Sequence, residues 1–187
     1  MAEVWLLRHA ETAWSKSGRH TGRTDVPLTE DGRAAARALK ERLAGRRFAL
    51  VLCSPLSRAR ETAQLAGLDD GIELRDDLVE WDYGDYEGLT TPEIRERRPD
   101  WYLWRDGVPG GESPADVGAR CDRIVAEILG VDGDVAIVAH GHLLRVLAAR
   151  WVEQEPVFGG RLHLDTGAIS VLGFEREVRA ILRWNSA

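Results

Sequence analysis

Apolar runs of strand length alternate along this chain with stretches whose apolar residues recur at the helical period. The segments EVWLL (3–7), FALVLC (48–53) and DVAIVAH (134–140) read as strands, each apolar at consecutive positions, as strands covered on both faces should be. IELR (72–75) is a shorter candidate. LTEDGRAAARALKERLAG reads as a helix, with Thr29 as N-cap, Ala35, Leu39 and Leu43 on one face, and Gly45 at its end. A second helical stretch runs from about Ser57 to Leu65. ESPADVGARCDRIVAEILG opens with Ser113 as cap and Pro114 at the first helical position; Val117, Cys121, Ile124 and Ile128 keep the helical period. HLLRVLAARW follows the third strong strand as a helix, and AISVLGF and VRAILRW flank a short turn as a closing hairpin.

Strands alternating with helices predict an α/β fold. The expected form is a three-layer sandwich: a mostly parallel mixed sheet, helices on both faces, and an antiparallel edge from the C-terminal hairpin. The whole chain, 1–187, reads as one domain. Between Asp82 and Glu112 the pattern weakens, and Gly, Pro, Trp, Tyr and Arg crowd together. That stretch is expected to be a lid or substrate-binding insertion, or a short helical subdomain packed on the sheet.

Composition narrows the function classes. The chain has 187 residues, 44% of them hydrophobic and 30% charged, which is ordinary for a soluble globular protein. A net charge of −6 counts against a nucleic-acid partner, because phosphate backbones are bound by basic faces. Cys53 and Cys121 both fall on apolar positions and read as small core residues, with no CxxC or zinc spacing around them. No basic n-region with a long apolar stretch opens the chain, and nowhere are 18 apolar residues consecutive. A cytoplasmic protein with no membrane partner is expected, and a homodimer is left open.

The candidate chemistry lies where the apolar runs stop. VWLL ends in Arg8-His9; LVLC ends in Ser54-Pro55 with Arg58 one turn into the next helix; VAIVA ends in His140-Gly141-His142. In a parallel sheet these are carboxyl ends sharing one edge, where ligands bind beside helix N-termini that favour anions. Arg8 alone would read as a surface charge, His9 alone as a hydrogen-bonded core histidine, and Arg58 alone as a solvated helix residue. Three strand ends agreeing point instead to an anion site, most naturally for phosphate, since guanidinium forks match its oxygens.

LLRHAET, SPLSRARETA, VEWDYGDYEG and VAHGH, in order from Val4 to about Trp151, resemble the motifs of the histidine phosphatase superfamily, which includes the phosphoglycerate mutases. The resemblance implies that His9 is the nucleophile and forms a phosphohistidine, its other ring nitrogen held by an acceptor that fixes the tautomer. It implies that Arg8, Arg58 and His140 clamp the phosphoryl oxygens and that Glu80 is the acid that protonates the leaving oxygen. Asp82 and Asp85 rank well below Glu80. Ser15, Thr21 and Gly22 align with the loop that touches the phosphoryl group or the substrate, with Ser15 where relatives often have Asn and Ala10 where many have Gly. Gly141 belongs to the same binding set. His142 is expected to support the clamp histidine; His20 and His163 receive no role. No cofactor and no metal is implied, because the cationic side chains supply the charge.

WSKSGRHTGRTDVPLTEDG and the segment after Glu80 look closest to the acid phosphatase and sugar-bisphosphatase branch. The mutases that resemble this chain carry extra segments after the acid and at the C-terminus, so a phosphomonoesterase is the favoured reading. Its expected partner is a small phosphorylated metabolite, a sugar phosphate or bisphosphate above all. Substrate choice is expected to lie in Trp81 to Glu112. There Tyr83, Tyr86, Trp101 and Trp104 would wall a pocket, and Arg95, Arg97, Arg98 or Arg105 would meet a second anionic group, Arg105 being the residue to test. The competing views are that the aromatics bury the insertion and that RERR is a solvated helix face. A phosphoglycerate mutase, a metallohydrolase using the HGH histidines and a catalytically silent phospho-ligand module are the alternatives; for a metal, no further ligands are convincingly placed.

Overall fold

Alternation within the buried strands sets the layering. The computed structural model describes residues 2–186. In β1 (Val4–Arg8), Val4 and Leu6 join one core while Trp5 and Leu7 join another; in β4 (Val135–Ala139), Val135, Ile137 and Ala139 face the first and Ala136 and Val138 the second. Strands that bury both faces need helices on both sides, hence their unbroken apolar runs. Helices α2 (Glu30–Arg42) and α3 (Ser57–Leu65) cover one face; α6 (Pro114–Leu129) and α7 (Gly141–Trp151) cover the other.

The six strands run in the order β3-β2-β4-β1-β5-β6, with β2 at Leu50–Cys53, β3 at Ile72–Leu74, β5 at Ile169–Glu175 and β6 at Val178–Ser186. The first four are parallel; β5 pairs antiparallel with β1 and β6 antiparallel with β5. This is the expected α/β sandwich with its hairpin edge. The two-residue hairpin turn places Arg176 at φ 55°.

The helix caps sit where the side chains require them. Thr29 accepts from the Gly32 N–H at 3.0 Å, and Ser113 forms a reciprocal capping box with Asp116 ahead of Pro114. In α2 the buried face is Gly32, Ala36 and Leu39, continued by Leu43, and the expected Ala35 is exposed. The cap fixes the start of the helix, and i, i+4, i+7, i+11 spacing from Gly32 selects Ala36. Cys53 and Cys121 are buried free thiols on opposite faces of the sheet.

Residues 82–112 carry two short helices, α4 (Thr91–Arg97) and α5 (Leu103–Asp106). Ile94, Trp101, Leu103 and Trp104 from this stretch are buried in the same core as α6 and α7. The segment is therefore packed onto the sheet domain through its aromatic residues. Among the described residues no helix is long and apolar enough to cross a membrane.

Candidate active site

Because β2 and β1 flank β4 in parallel, their carboxyl ends lie side by side. Arg8 pairs with Ala139 and Cys53 with Val138, so His9, Ser54 and His140 leave the sheet together. Their loops are tied to β4: the His9 N–H donates to the Ala139 carbonyl at 2.9 Å and the Ser54 N–H to the Val138 carbonyl at 3.0 Å. A cavity of about 230 Å³ opens over this edge, with Arg8, His9, Glu80, Tyr83 and Gly141 in its wall.

His9 is buried, and its Nδ1 donates to the Ala10 carbonyl at 2.8 Å. That bond puts the proton on Nδ1 and leaves Nε2 with a free lone pair. Burial, with the Arg8 and Arg58 cations beside it, holds its imidazole well below the ordinary value of 6.5. The ring is therefore a neutral base at neutral and mildly acidic pH. His140 lies 5.2 Å from it, ring centroid to ring centroid.

Arg58 and His140 stand behind the cavity wall, each with its polar atoms engaged. The guanidinium donates to His140 Nδ1 at 3.2 Å and to the carbonyls of Thr21, Gly22 and Thr24 at 2.9–3.1 Å. His140 Nε2 meets Ser54 Oγ at 2.7 Å, and burial followed by the Arg58 charge holds this imidazole neutral as well. Arg8 differs. One Nη donates to the Leu164 carbonyl, while Nε is the single buried side-chain nitrogen or oxygen without a partner among the described residues. A buried donor aimed at no acceptor is costly unless a ligand satisfies it.

Glu80 closes the opposite side. Its Oε1 accepts from the N–H groups of Trp81 and Leu143, both at 2.9 Å, and its Oε2 from that of His142 at 3.1 Å. The last two are free N–H groups at the start of α7, so the helix N-terminus orients the carboxyl group toward the cavity that His9 lines.

A family model described as histidine phosphatase superfamily (branch 1) matches residues 4–187. The chain belongs to that superfamily. It is 47% identical over 180 residues to an acid phosphatase of Mycobacterium tuberculosis, covering 94% of this chain and 88% of that one. It is 37% identical over 178 residues to sedoheptulose 1,7-bisphosphatase of Saccharomyces cerevisiae, covering 78% and 66%. Among solved structures, that of a Mycobacterium tuberculosis open reading frame superposes with a TM-score of 0.94 at 45% identity, covering 98% and 97%. These two curated relatives are named as phosphatases, and the chain's α/β fold matches that of the solved neighbour.

The outer wall in this superfamily member also holds His20, Arg145 and Arg19, which the sequence reading did not assign to the site. His20 is buried, lines the cavity, and donates from Nδ1 to the Leu89 carbonyl at 2.8 Å. It stacks parallel to His142, at 6.3 Å and 7°. His142 meets the buried Tyr83 hydroxyl at 2.5 Å, and burial with Arg145 nearby keeps it neutral. A buried phenol, pushed well up by its surroundings, is the donor in that pair. Arg145 also lines the cavity, lying over the Trp104 ring at 4.6 Å and donating to the Gly159 carbonyl. Arg19 and Thr91 complete that side.

Of the expected binding residues, Ser15, Thr21, Tyr83 and Gly141 lie on the wall. The Ser15 hydroxyl is engaged in the capping box of α1 (Ala13–Ser17) with Thr12. Gly22 and Arg105 do not line the cavity. The Gly22 N–H donates to Glu87, and a Cβ there would meet the Trp81 carbonyl oxygen at 2.5 Å, so its smallness serves packing. Arg105 is 61% exposed in its side chain and pairs with Asp106 at 2.7 Å, because the neighbouring Trp104 takes the inward face of α5. Tyr86, Trp101 and Trp104 bury the segment, and Arg95 donates to the Trp101 carbonyl. His140 and His142 do not converge as metal ligands: one faces Arg58 and Ser54, the other Tyr83. Helical spacing would have found Arg145, one turn beyond Gly141, and the signal for His20 is its place directly before Thr21-Gly22 in the expected loop.

Proposed function

We propose that this protein is a phosphomonoesterase that needs no metal and hydrolyses small phosphorylated metabolites through a phosphohistidine on His9. The observation that carries the reading is the wiring of His9: Nδ1–H spent on a carbonyl, Nε2 free, and the ring kept neutral beside two arginines. Nε2 attacks phosphorus, the N–P bond forms, and the P–O bond to the alcohol breaks as Glu80 gives its proton to the leaving oxygen. Water then attacks phosphorus, Glu80 takes its proton, and the N–P bond breaks to release phosphate. Arg8 Nε is the donor left free for a phosphoryl oxygen, where charge spreads in the transition state. Arg58 and His140, with their hydrogen bonds already made, hold the loop and the field around the phosphoryl group.

The substrate proposed is a sugar phosphate or bisphosphate. Arg145 and Arg19 stand on the outer wall as cations for a second anionic group, and His20 and Tyr83–His142 offer an acceptor and a donor for hydroxyls. The yeast sedoheptulose 1,7-bisphosphatase among the relatives supports that choice. The mutase reading has its own support in a 2,3-bisphosphoglycerate-dependent phosphoglycerate mutase of Mesorhizobium japonicum, 36% identical over 159 residues.

The test is hydrolysis of p-nitrophenyl phosphate in the presence of EDTA by wild type and His9→Ala. Turnover by wild type that vanishes in the variant, with an acid-labile phosphoenzyme trapped only in wild type, is the expected result. Absence of turnover in wild type, with phosphoglycerate interconversion present, would replace it by the mutase reading.

A further inference from the structure

The acid assigned above, Glu80, sits on an irregular stretch between a three-residue 3-10 turn at Asp76–Leu78 and another at Gly84–Tyr86. No sheet ladder holds residue 80, so something else must fix its backbone to the tolerance that proton transfer requires. Two side chains from outside the cavity do this. Arg120, on α6, donates from Nη1 to the carbonyls of Asp77 at 2.6 Å and Val79 at 2.9 Å. Glu112, just before the α6 cap, accepts the Asp82 N–H on Oε2 at 2.9 Å. The two join each other through a bidentate pair, Nε to Oε1 at 2.7 Å and Nη2 to Oε2 at 2.9 Å. Their side chains are only 14% and 19% exposed.

The grip is therefore two-sided: Arg120 takes the backbone before Glu80 and Glu112 takes it after. Glu112 adds main-chain bonds on the same side, its carbonyl accepting the Trp81 indole N–H at 2.9 Å and its N–H donating to the Asp82 carbonyl at 3.0 Å. A largely buried ion pair is weak support for stability, because desolvation offsets most of the attraction. A pair whose remaining donors and acceptors all end on the backbone around one acidic residue is a device of placement. We infer that the Arg120–Glu112 pair is a positioning clamp for Glu80, setting the carboxyl group between the start of α7 and the leaving oxygen. Arg120 and Glu112 are positioning residues; neither lines the cavity that holds His9. The inference rests on the reading of Glu80 as the acid.

Leaving-group dependence separates placement of an acid from general support of the fold. An alkyl phosphate needs its leaving oxygen protonated, whereas 2,4-dinitrophenyl phosphate does not. In Arg120→Met, kcat/KM, which reports phosphoenzyme formation, should fall at least tenfold more for an alkyl phosphate than for the dinitrophenyl ester. Glu80→Gln, the reference, should show the same selectivity more strongly. Arg120→Lys keeps the charge but cannot bridge both Glu112 oxygens and both carbonyls, so it should fall between wild type and Arg120→Met; it also serves should Arg120→Met fail to fold. Equal loss of kcat/KM on both esters in the arginine variants overturns the clamp while leaving the acid in place. A Glu80→Gln variant no more selective than wild type removes the acid assignment itself, and the clamp with it.

Discussion

His9 and His140 are buried imidazoles held neutral by burial and by nearby arginines, and that arrangement has a cost in acid. In the unfolded chain each takes up a proton near 6.5, while in the folded chain it takes up none until well below that value. The unfolded state thus binds more protons below 6.5, and stability falls as pH falls. For one such histidine the loss between pH 7.5 and 5.5 is about 1.4 kcal/mol, so the two together give about 3 kcal/mol. For a domain of this size that corresponds to a drop in Tm of about 6–12 °C. His20 and His142, also shifted down, act in the same direction. The carboxylates shifted down, among them Asp77 and Asp106, lose their contribution only at more acidic pH and leave this window untouched. Calorimetry or circular dichroism melts at half-unit steps from pH 7.5 to 5.5, in buffer free of phosphate, measure the slope. His9→Gln should remove about half of the loss assigned to the two rings. A Tm flat across the range in wild type would refute the claim that these imidazoles are held neutral.

Four further outcomes follow from particular contacts. Removing Arg58 breaks four hydrogen bonds, two of them buried and two partly buried, and frees the carbonyls of Thr21, Gly22 and Thr24. Arg58→Met should lower stability by about 3–5 kcal/mol in denaturant melts and kcat/KM by about a hundredfold or more. Arg145→Ala should reduce the kcat/KM ratio of a sugar bisphosphate to its monophosphate by about tenfold, whereas Arg105→Ala, outside the cavity and paired with Asp106, should leave that ratio unchanged. A Cβ at position 141 would lie 3.0 Å from Arg8 Nε, so Gly141→Ala should displace the free donor and lower kcat with little change in Tm. Arg8→Met removes one of the charges that hold His9 neutral, so the acidic limb of its residual kcat/KM profile should move up toward 6.5.

The strand ends were legible because a continuous apolar run that stops at Arg8-His9 or at His140 can mean little else in a parallel sheet. The residues that share a wall with them were less so. His20 reaches the cavity through a loop held by the Leu89 carbonyl and by the Gly88 N–H on its own carbonyl, contacts between segments far apart in sequence. The aromatic residues of 82–112 could be read as pocket or as core, and burial decided mostly for core: Trp101 and Trp104 are 2% and 4% exposed. Arg105 was misplaced for the same reason. In a four-residue helix whose tryptophan turns inward, the neighbouring guanidinium is left to solvent. Arg120 and Glu112 carry no signal of their own in the sequence, since no local pattern reveals that both end on the backbone around Glu80.

These placements divide the site into groups already committed and groups kept free, and the division follows what phosphoryl transfer asks of a protein. Most of the catalytic gain in such a reaction comes from positioned charge, so a side chain that must move or shed water on binding is less effective than one fixed beforehand. Arg58 and His140 are fixed by bonds to each other, to three loop carbonyls and to Ser54, leaving the charge of one and the bulk of the other in place. Arg8 Nε and His9 Nε2 are left free, in the proposed reaction one to meet oxygen and the other to meet phosphorus. The same two arginines that would attract a dianion also keep the His9 imidazole unprotonated. A bound dianion offsets part of their field and makes His9 easier to protonate. The Nδ1 bond to Ala10 already fixes which nitrogen would have to accept that proton, and it is the nitrogen that the proposed mechanism directs at phosphorus.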